Sequence, residues 1–115
     1  MKSFTPTLLF LTVSLLVFAH PCLAIDLGHH PGKAIYEKLC LECHGTDGEG
    51  AEDVDVDPLI GSRDIASLAG RIERTMPEDK EHLCVGDDAR LVAEYVYHAF
   101  YSEEAQLRKK PIYPD

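Results

Sequence analysis

The spacing of apolar residues predicts three main helices separated by polar loops. Apolar side chains recur three or four positions apart within residues 33–43, again from residue 65 to about residue 75, and most regularly from residue 91 to residue 100. No segment has the convincing alternation of apolar and polar residues that a strand requires. The order of helix, loop, short helix, loop and helix therefore predicts an all-α domain.

The residues at the helix ends support this assignment. Asp64 and Asp87 are suited to cap the second and third helices, because an aspartate side chain accepts hydrogen bonds from the first free N–H groups. Met76-Pro77 should end the second helix, since the residue before a proline is pushed toward extended geometry. Residues 45–61, between the first two helices, combine several glycines with many carboxylates, which predicts a flexible, solvated loop.

The first 24 residues have the three-part layout of a secretory signal peptide. Lys2 supplies a short basic start, residues 8–19 form an uncharged apolar stretch, and small residues stand at Cys22 and Ala24 before the expected cleavage site. The apolar stretch is shorter than the roughly 20 residues that a spanning helix needs. We therefore expect cleavage after Ala24, export to the periplasm or an equivalent compartment, and no stable membrane insertion after cleavage.

The predicted mature chain is one small, strongly acidic domain. We place this domain at residues 25–101 and a C-terminal tail or linker at residues 102–115. The mature chain keeps all 20 acidic residues and loses one of the 11 basic ones, so its net charge becomes −10. Such a charge disfavours nucleic acid and anionic membranes and favours partners with a basic face. Acidity also keeps an exported protein soluble, so the charge alone does not identify the partner.

The segment Cys40-Leu41-Glu42-Cys43-His44 carries the main chemical signal of the chain. Cys-x-x-Cys-His is the attachment sequence for haem c. Two thiols three positions apart at the end of a helix can reach the two vinyl groups on one edge of the porphyrin, and the following histidine then lies under the iron. The sequence therefore predicts one covalent haem on Cys40 and Cys43, with His44 as the proximal iron ligand.

Three other interpretations compete for the same cysteines. A thioredoxin-like dithiol would need a βαβ setting, which this sequence lacks. A zinc site would need a fourth ligand, for which His82 and Cys84 are candidates. A disulfide across so short a spacing would close only a very small loop and contribute little stability. The export signal, the adjoining histidine and the helical pattern together favour haem.

The second iron ligand is chosen by elimination. Met76 is the only methionine that remains after signal cleavage, and it lies 32 residues after His44 at the end of a helix. Packing of Met76 in the core, His82 as the ligand, and an open site are the alternatives. Ligation by histidine and methionine leaves no open position and favours electron transfer, whereas an open site would favour a haem enzyme or a ligand sensor.

Several supporting contacts are also predicted. Pro58 follows the acidic loop and could offer its carbonyl to the second ring nitrogen of His44. Gly32 and Tyr36 should meet Tyr95 and Val96 where the first and last helices cross, because a glycine permits close approach. An odd cysteine, Cys84, is predicted to be a buried thiol without a partner.

Taken together, these residues resemble the class I cytochrome c family. The resemblance runs from about Gly32 to Phe100, and its carriers are the haem attachment motif, the Pro58-Leu59-Ile60-Gly61 segment, Met76-Pro77 and the closing helix with Leu91, Tyr95 and Val96. It implies helices packed around one covalent haem, with His44 and Met76 as axial ligands. It also implies transfer of single electrons between redox protein partners.

A finer resemblance concerns three short phrases. Met76-Pro77-Glu78, Cys84-Val85-Gly86 and residues 99–105 are similar to the N-terminal cytochrome modules of planctomycete-type multidomain proteins. In those proteins the cytochrome precedes further domains. The resemblance implies that this chain is either such a module on its own or a fragment of a larger redox protein.

Overall fold

The structure is a computed structural model that describes residues 24–110, so the predicted signal peptide up to residue 23 and residues 111–115 lie outside it. Every regular element among the described residues is helical, which confirms the all-α prediction. None of these helices is both long enough and apolar enough to cross a membrane. The α-helices are α1 (Pro31–Leu39), α2 (Leu41–His44), α3 (Ile65–Thr75), α4 (Asp87–Val96) and α5 (Glu103–Lys109). Short 3-10 turns span Leu27–His29 and Glu81–Leu83, and a π-helical turn spans Tyr97–Tyr101.

The first predicted helix is divided in two at Cys40. This residue has φ −121° and ψ −32°, outside the helical range, and it separates α1 from the short α2. Its N–H still donates a hydrogen bond to the carbonyl of Tyr36, so the helical hydrogen bonding of α1 extends to Cys40 although the backbone leaves the helical conformation there. Gly45 then ends α2 with a φ of 72°, a left-handed conformation that glycine adopts without steric cost.

The predicted ends of α3 are confirmed. The Asp64 side chain accepts a hydrogen bond from the Ser67 N–H at 2.7 Å, which satisfies one of the free donors of the first turn. That bond holds the pKa of the Asp64 carboxyl below its usual value. At the other end, Met76 is extended, with φ −134° and ψ 144°, directly before Pro77.

The predicted start of α4 is wrong by one residue. Gly86, with a φ of 58°, occupies the N-cap position and makes no side-chain cap, while Asp87 lies inside the first turn. A carboxylate there is stabilised by the positive end of the helix dipole and need not cap the helix. The α-helix also stops earlier than the apolar pattern indicates, because the last turn widens into the π-helical turn at Tyr97–Tyr101.

The core forms where α1 crosses α4, as predicted. A Cβ atom added to Gly32 would lie 2.1 Å from the Leu91 carbonyl oxygen, so the two backbones approach as closely as only glycine allows. Beside this contact, the Tyr36 ring lies 5.4 Å from that of Tyr95 and 5.6 Å from that of Phe100, measured between centroids. The remaining buried core residues are Leu68, Cys84, Ala89, Val92, Ala93 and Val96.

The first half of the predicted C-terminal tail is a packed helix. Ser102 caps α5 by accepting a hydrogen bond from the Ala105 N–H at 3.1 Å, and Ala105 is buried. At the far end, the Lys109 ammonium bonds the Glu49 carboxylate at 2.5 Å and lies 5.5 Å from the centre of the Phe100 ring. These contacts fasten α5 to the loop that follows α2.

We predict that Gly32→Ala lowers the free energy of unfolding by about 2 kcal/mol, because α1 and α4 must separate to admit the methyl group. Urea unfolding of the mature protein, followed by circular dichroism, measures the change. Gly70→Ala is the matched control, since a Cβ atom there meets only the flexible end of Arg74. The control should be neutral or stabilising by up to about 1 kcal/mol. Equal stability of the two variants would contradict the account of the crossing.

Candidate functional site

The haem attachment motif borders an open cavity of about 280 Å³ between α1, α2 and α3. Its wall is mainly apolar, and three helices, α1, α3 and α4, contribute Tyr36, Leu39, Leu68, Ile72 and Val96 to it. The predicted ligands reach this cavity from two separate parts of the chain. Cys40, Cys43 and His44 line it at α2, and Met76 lines it after the end of α3. The fold therefore brings His44 and Met76, which are 32 positions apart in the sequence, to the same cavity.

The two motif cysteines differ in their surroundings. Cys40 is partly buried and Cys43 is exposed, and neither forms a disulfide in the described part of the chain. Burial, with smaller contributions from the neighbouring Cys84 and Cys43 thiols, raises the pKa of the Cys40 thiol to about 12. Cys40 is therefore a neutral thiol in a largely apolar environment at physiological pH.

His44 presents a neutral imidazole to the cavity. Burial lowers the pKa of this histidine, so the uncharged form, which has a lone pair for a metal, is favoured. Its Nδ1 atom is buried and has no hydrogen-bond partner among the described residues. The predicted hydrogen bond to the Pro58 carbonyl is thus not formed, and that carbonyl accepts from the Ile60 N–H at 2.9 Å. Pro58 itself is exposed and lies outside the cavity wall.

Backbone hydrogen bonds tie the loop after α2 to the motif. The Gly50 N–H bonds the His44 carbonyl at 2.9 Å, and the Ala51 N–H bonds the Cys43 carbonyl at 2.8 Å. From α1, the Tyr36 hydroxyl donates to the Gly45 carbonyl at 2.6 Å. Sequence reasoning missed this role of Tyr36, although a tyrosine one helical turn before the motif was the available signal. The bond fixes the backbone directly after His44.

The rival ligand and the extra thiol lie elsewhere. His82 is exposed in the 3-10 turn Glu81–Leu83 and does not line the cavity. Cys84 is 1% exposed and packs in the core, as predicted for a buried thiol. Within residues 24–110 no group of three or more histidine, cysteine or acidic side chains could hold a metal ion, so the zinc interpretation finds no support there.

The comparison with protein families identifies the fold. Residues 29–96, more than half of the chain, match the family described as cytochrome c oxidase, cbb3-type, subunit III. The chain belongs to this cytochrome c family. Cytochrome c domains hold haem c covalently and pass electrons between redox partners, and this cytochrome is accordingly a haem c electron-transfer domain.

One curated relative extends the comparison. Thiosulfate dehydrogenase from Allochromatium vinosum (strain ATCC 17899) is 32% identical to this cytochrome over 101 residues. The alignment covers 73% of this chain and 37% of the relative. The cytochrome therefore spans well under half the length of the curated relative that it matches.

The cavity of this cytochrome fits a haem. Its wall is mainly apolar, as the porphyrin faces require, and the His44 nitrogen at α2 and the Met76 sulfur after α3 come from different elements. His44 also lines the cavity as a neutral imidazole, the form that can bind a metal. The donor set and the lining are thus compatible with the group that the family carries.

We predict that Tyr36→Phe lowers the free energy of unfolding by about 1 kcal/mol, because the Gly45 carbonyl loses its donor. Urea unfolding of the mature cytochrome measures this loss. Tyr95→Phe is the control from the same aromatic cluster, since the Tyr95 hydroxyl has no partner among the described residues. A control that loses as much stability as Tyr36→Phe would show that the hydrogen bond is not the cause.

Proposed function

We propose that this domain is a mono-haem cytochrome that carries single electrons between redox proteins. In this proposal Cys40 and Cys43 hold the haem through two thioether bonds, and His44 and Met76 are the two axial ligands. The observation that carries the proposal is the shared cavity, since all four residues line it although they come from two distant segments. The haem supplies the one-electron couple.

The protein residues determine what the iron can do. The neutral imidazole of His44 provides a nitrogen ligand, and the Met76 thioether provides a sulfur ligand of the kind that raises the potential relative to two histidines. With both axial positions filled, neither oxygen nor a substrate can bind the iron. Apolar side chains such as Leu68 and Ile72 keep water from the haem faces. Electron exchange through the haem edge is then the remaining activity.

A second candidate is a haem enzyme or ligand sensor with an open distal site. The match to a protein named thiosulfate dehydrogenase supports the carrier proposal in a different form, in which this domain is the electron-transfer module of a larger redox enzyme. The finer resemblance to planctomycete-type modules would also put the domain beside others. Neither the family match nor the relative bears on that finer resemblance, which rests on three sequence phrases.

Partner and location follow from the charge and the N-terminus. A net charge of −10 after removal of residues 1–24 supports redox partners with a basic docking face. The signal-like segment supports the periplasm or an equivalent compartment. We also propose that the domain spans residues 25–101. Helix α5 follows this span and packs on the domain.

The test of the axial ligands is carbon monoxide binding by the reduced, haem-loaded protein. The wild type should bind it poorly, because Met76 fills the distal position, and Met76→Ala should bind it readily. His82→Ala is the matched control and should behave as the wild type, because His82 does not line the cavity. Ready binding by the wild type would overturn the carrier proposal in favour of an open site, and a changed ligation spectrum in His82→Ala would overturn the choice of Met76.

A further inference from the structure

The cavity wall holds a single cationic side chain. Arg71, on α3, lines the cavity together with two anionic residues, Asp57 and Glu78. Arg71 is exposed at this border, and its guanidinium forms no ion pair within residues 24–110. The other titratable groups of the wall are Tyr36, Cys40, Cys43 and His44. The Arg71 guanidinium therefore lies at the border of a mainly apolar cavity and has no ion-pair partner among residues 24–110.

The chemistry of the proposed cofactor supplies an anionic partner. A haem has two propionate carboxylates on the porphyrin edge opposite the one that bears its two vinyl-derived thioethers. Attachment at Cys40 and Cys43 holds the thioether edge at α2. With its thioether edge at α2, a haem would direct its propionate edge away from α2, and Arg71 on α3 would be the cation of the cavity wall available to that edge.

The negative charge around the cavity favours a cation beside a bound carboxylate. The mature chain carries a net charge of −10, and Asp57 and Glu78 add negative charge to the cavity wall. A carboxylate placed close to other carboxylates takes up protons more readily, unless an opposite charge stabilises it. The planar guanidinium of arginine offers two parallel N–H donors that match a carboxylate.

We infer that Arg71 binds a haem propionate and keeps that carboxylate ionised. The inference rests on the proposed haem at Cys40 and Cys43 and extends it to the opposite edge of the cofactor. Arg71 is a positioning residue in this role, because its guanidinium holds the propionate and not the iron. The stem of Arg71 leaves α3 beside Ile72, so the same helix contributes both an apolar contact and the cation.

Arg74 is the matched control. It lies three residues further along the same helix, it is exposed, and it does not line the cavity. A Cβ atom added to Gly70 would lie 3.0 Å from an Arg74 guanidinium nitrogen, which places that guanidinium against its own helix. Arg71→Gln and Arg74→Gln therefore remove the same charge from the same helix, and only one of them removes it from the cavity.

The experiment measures the reduction potential of both haem-loaded variants between about pH 5 and pH 8 by spectroelectrochemistry. Loss of a cation near the haem stabilises the ferric form, so Arg71→Gln should lower the potential more than Arg74→Gln does. Arg71→Gln should also gain a pH-dependent step in this range, because its propionate, left beside Asp57 and Glu78, binds a proton more readily. Equal drops in the two variants, or a pH profile unchanged from the wild type, would overturn the inference.

Two further measurements distinguish failure of haem attachment from failure of the proposed role of Arg71. The mass of each variant reports haem attachment, so a protein without haem counts against the proposed function, whereas a loaded Arg71→Gln that behaves like Arg74→Gln counts only against the role of Arg71. If Arg71→Gln does not mature, the wild type with carbon-13-labelled propionates is studied by redox-induced infrared difference spectroscopy. At least one propionate is expected to stay ionised throughout the same pH range, and protonation of both propionates would overturn the inference.

Discussion

The close packing of α1 against α4 at Gly32 is the contact on which the rest of the structure depends. α1 ends directly before the first cysteine of the motif, and α4 supplies Val96 to the wall of the cavity. Because the backbones touch at Gly32, the aromatic ring of Tyr36 is buried against α4. Its hydroxyl in turn holds the carbonyl of Gly45, directly after His44. The position of His44 thus follows from how closely two helices approach.

The distribution of charge around the cavity follows the same logic. Burial keeps the Cys40 thiol and the His44 imidazole neutral, which suits an apolar chamber inside a strongly acidic chain. The charged lining residues Asp57, Arg71 and Glu78 belong to α3 and the loops on either side of it. A haem has the matching division, with apolar faces and two carboxylates on one edge. Neutral donors at α2 and a cation on α3 are therefore complementary to the two ends of one cofactor.

Sequence reasoning predicted the parts that depend on local chemistry. The Asp64 cap, the extended Met76 before Pro77 and the glycine contact at Gly32 follow from preferences of single residues, and all three are present. The break at Cys40 and the π-helical turn after Val96 were missed because apolar spacing is nearly the same on either side of such an interruption. The packing of α5 was missed because a polar helix with one buried alanine has little amphipathic pattern.

The central claim is that Cys40 and Cys43 bind one haem covalently. Intact-mass measurement of the mature protein, produced with a haem-attachment system, tests it directly, with the Cys40→Ala/Cys43→Ala double variant as the comparison. The account predicts that the wild type exceeds its polypeptide mass by one haem and that the double variant does not. A wild type with the mass of the bare polypeptide would contradict the account.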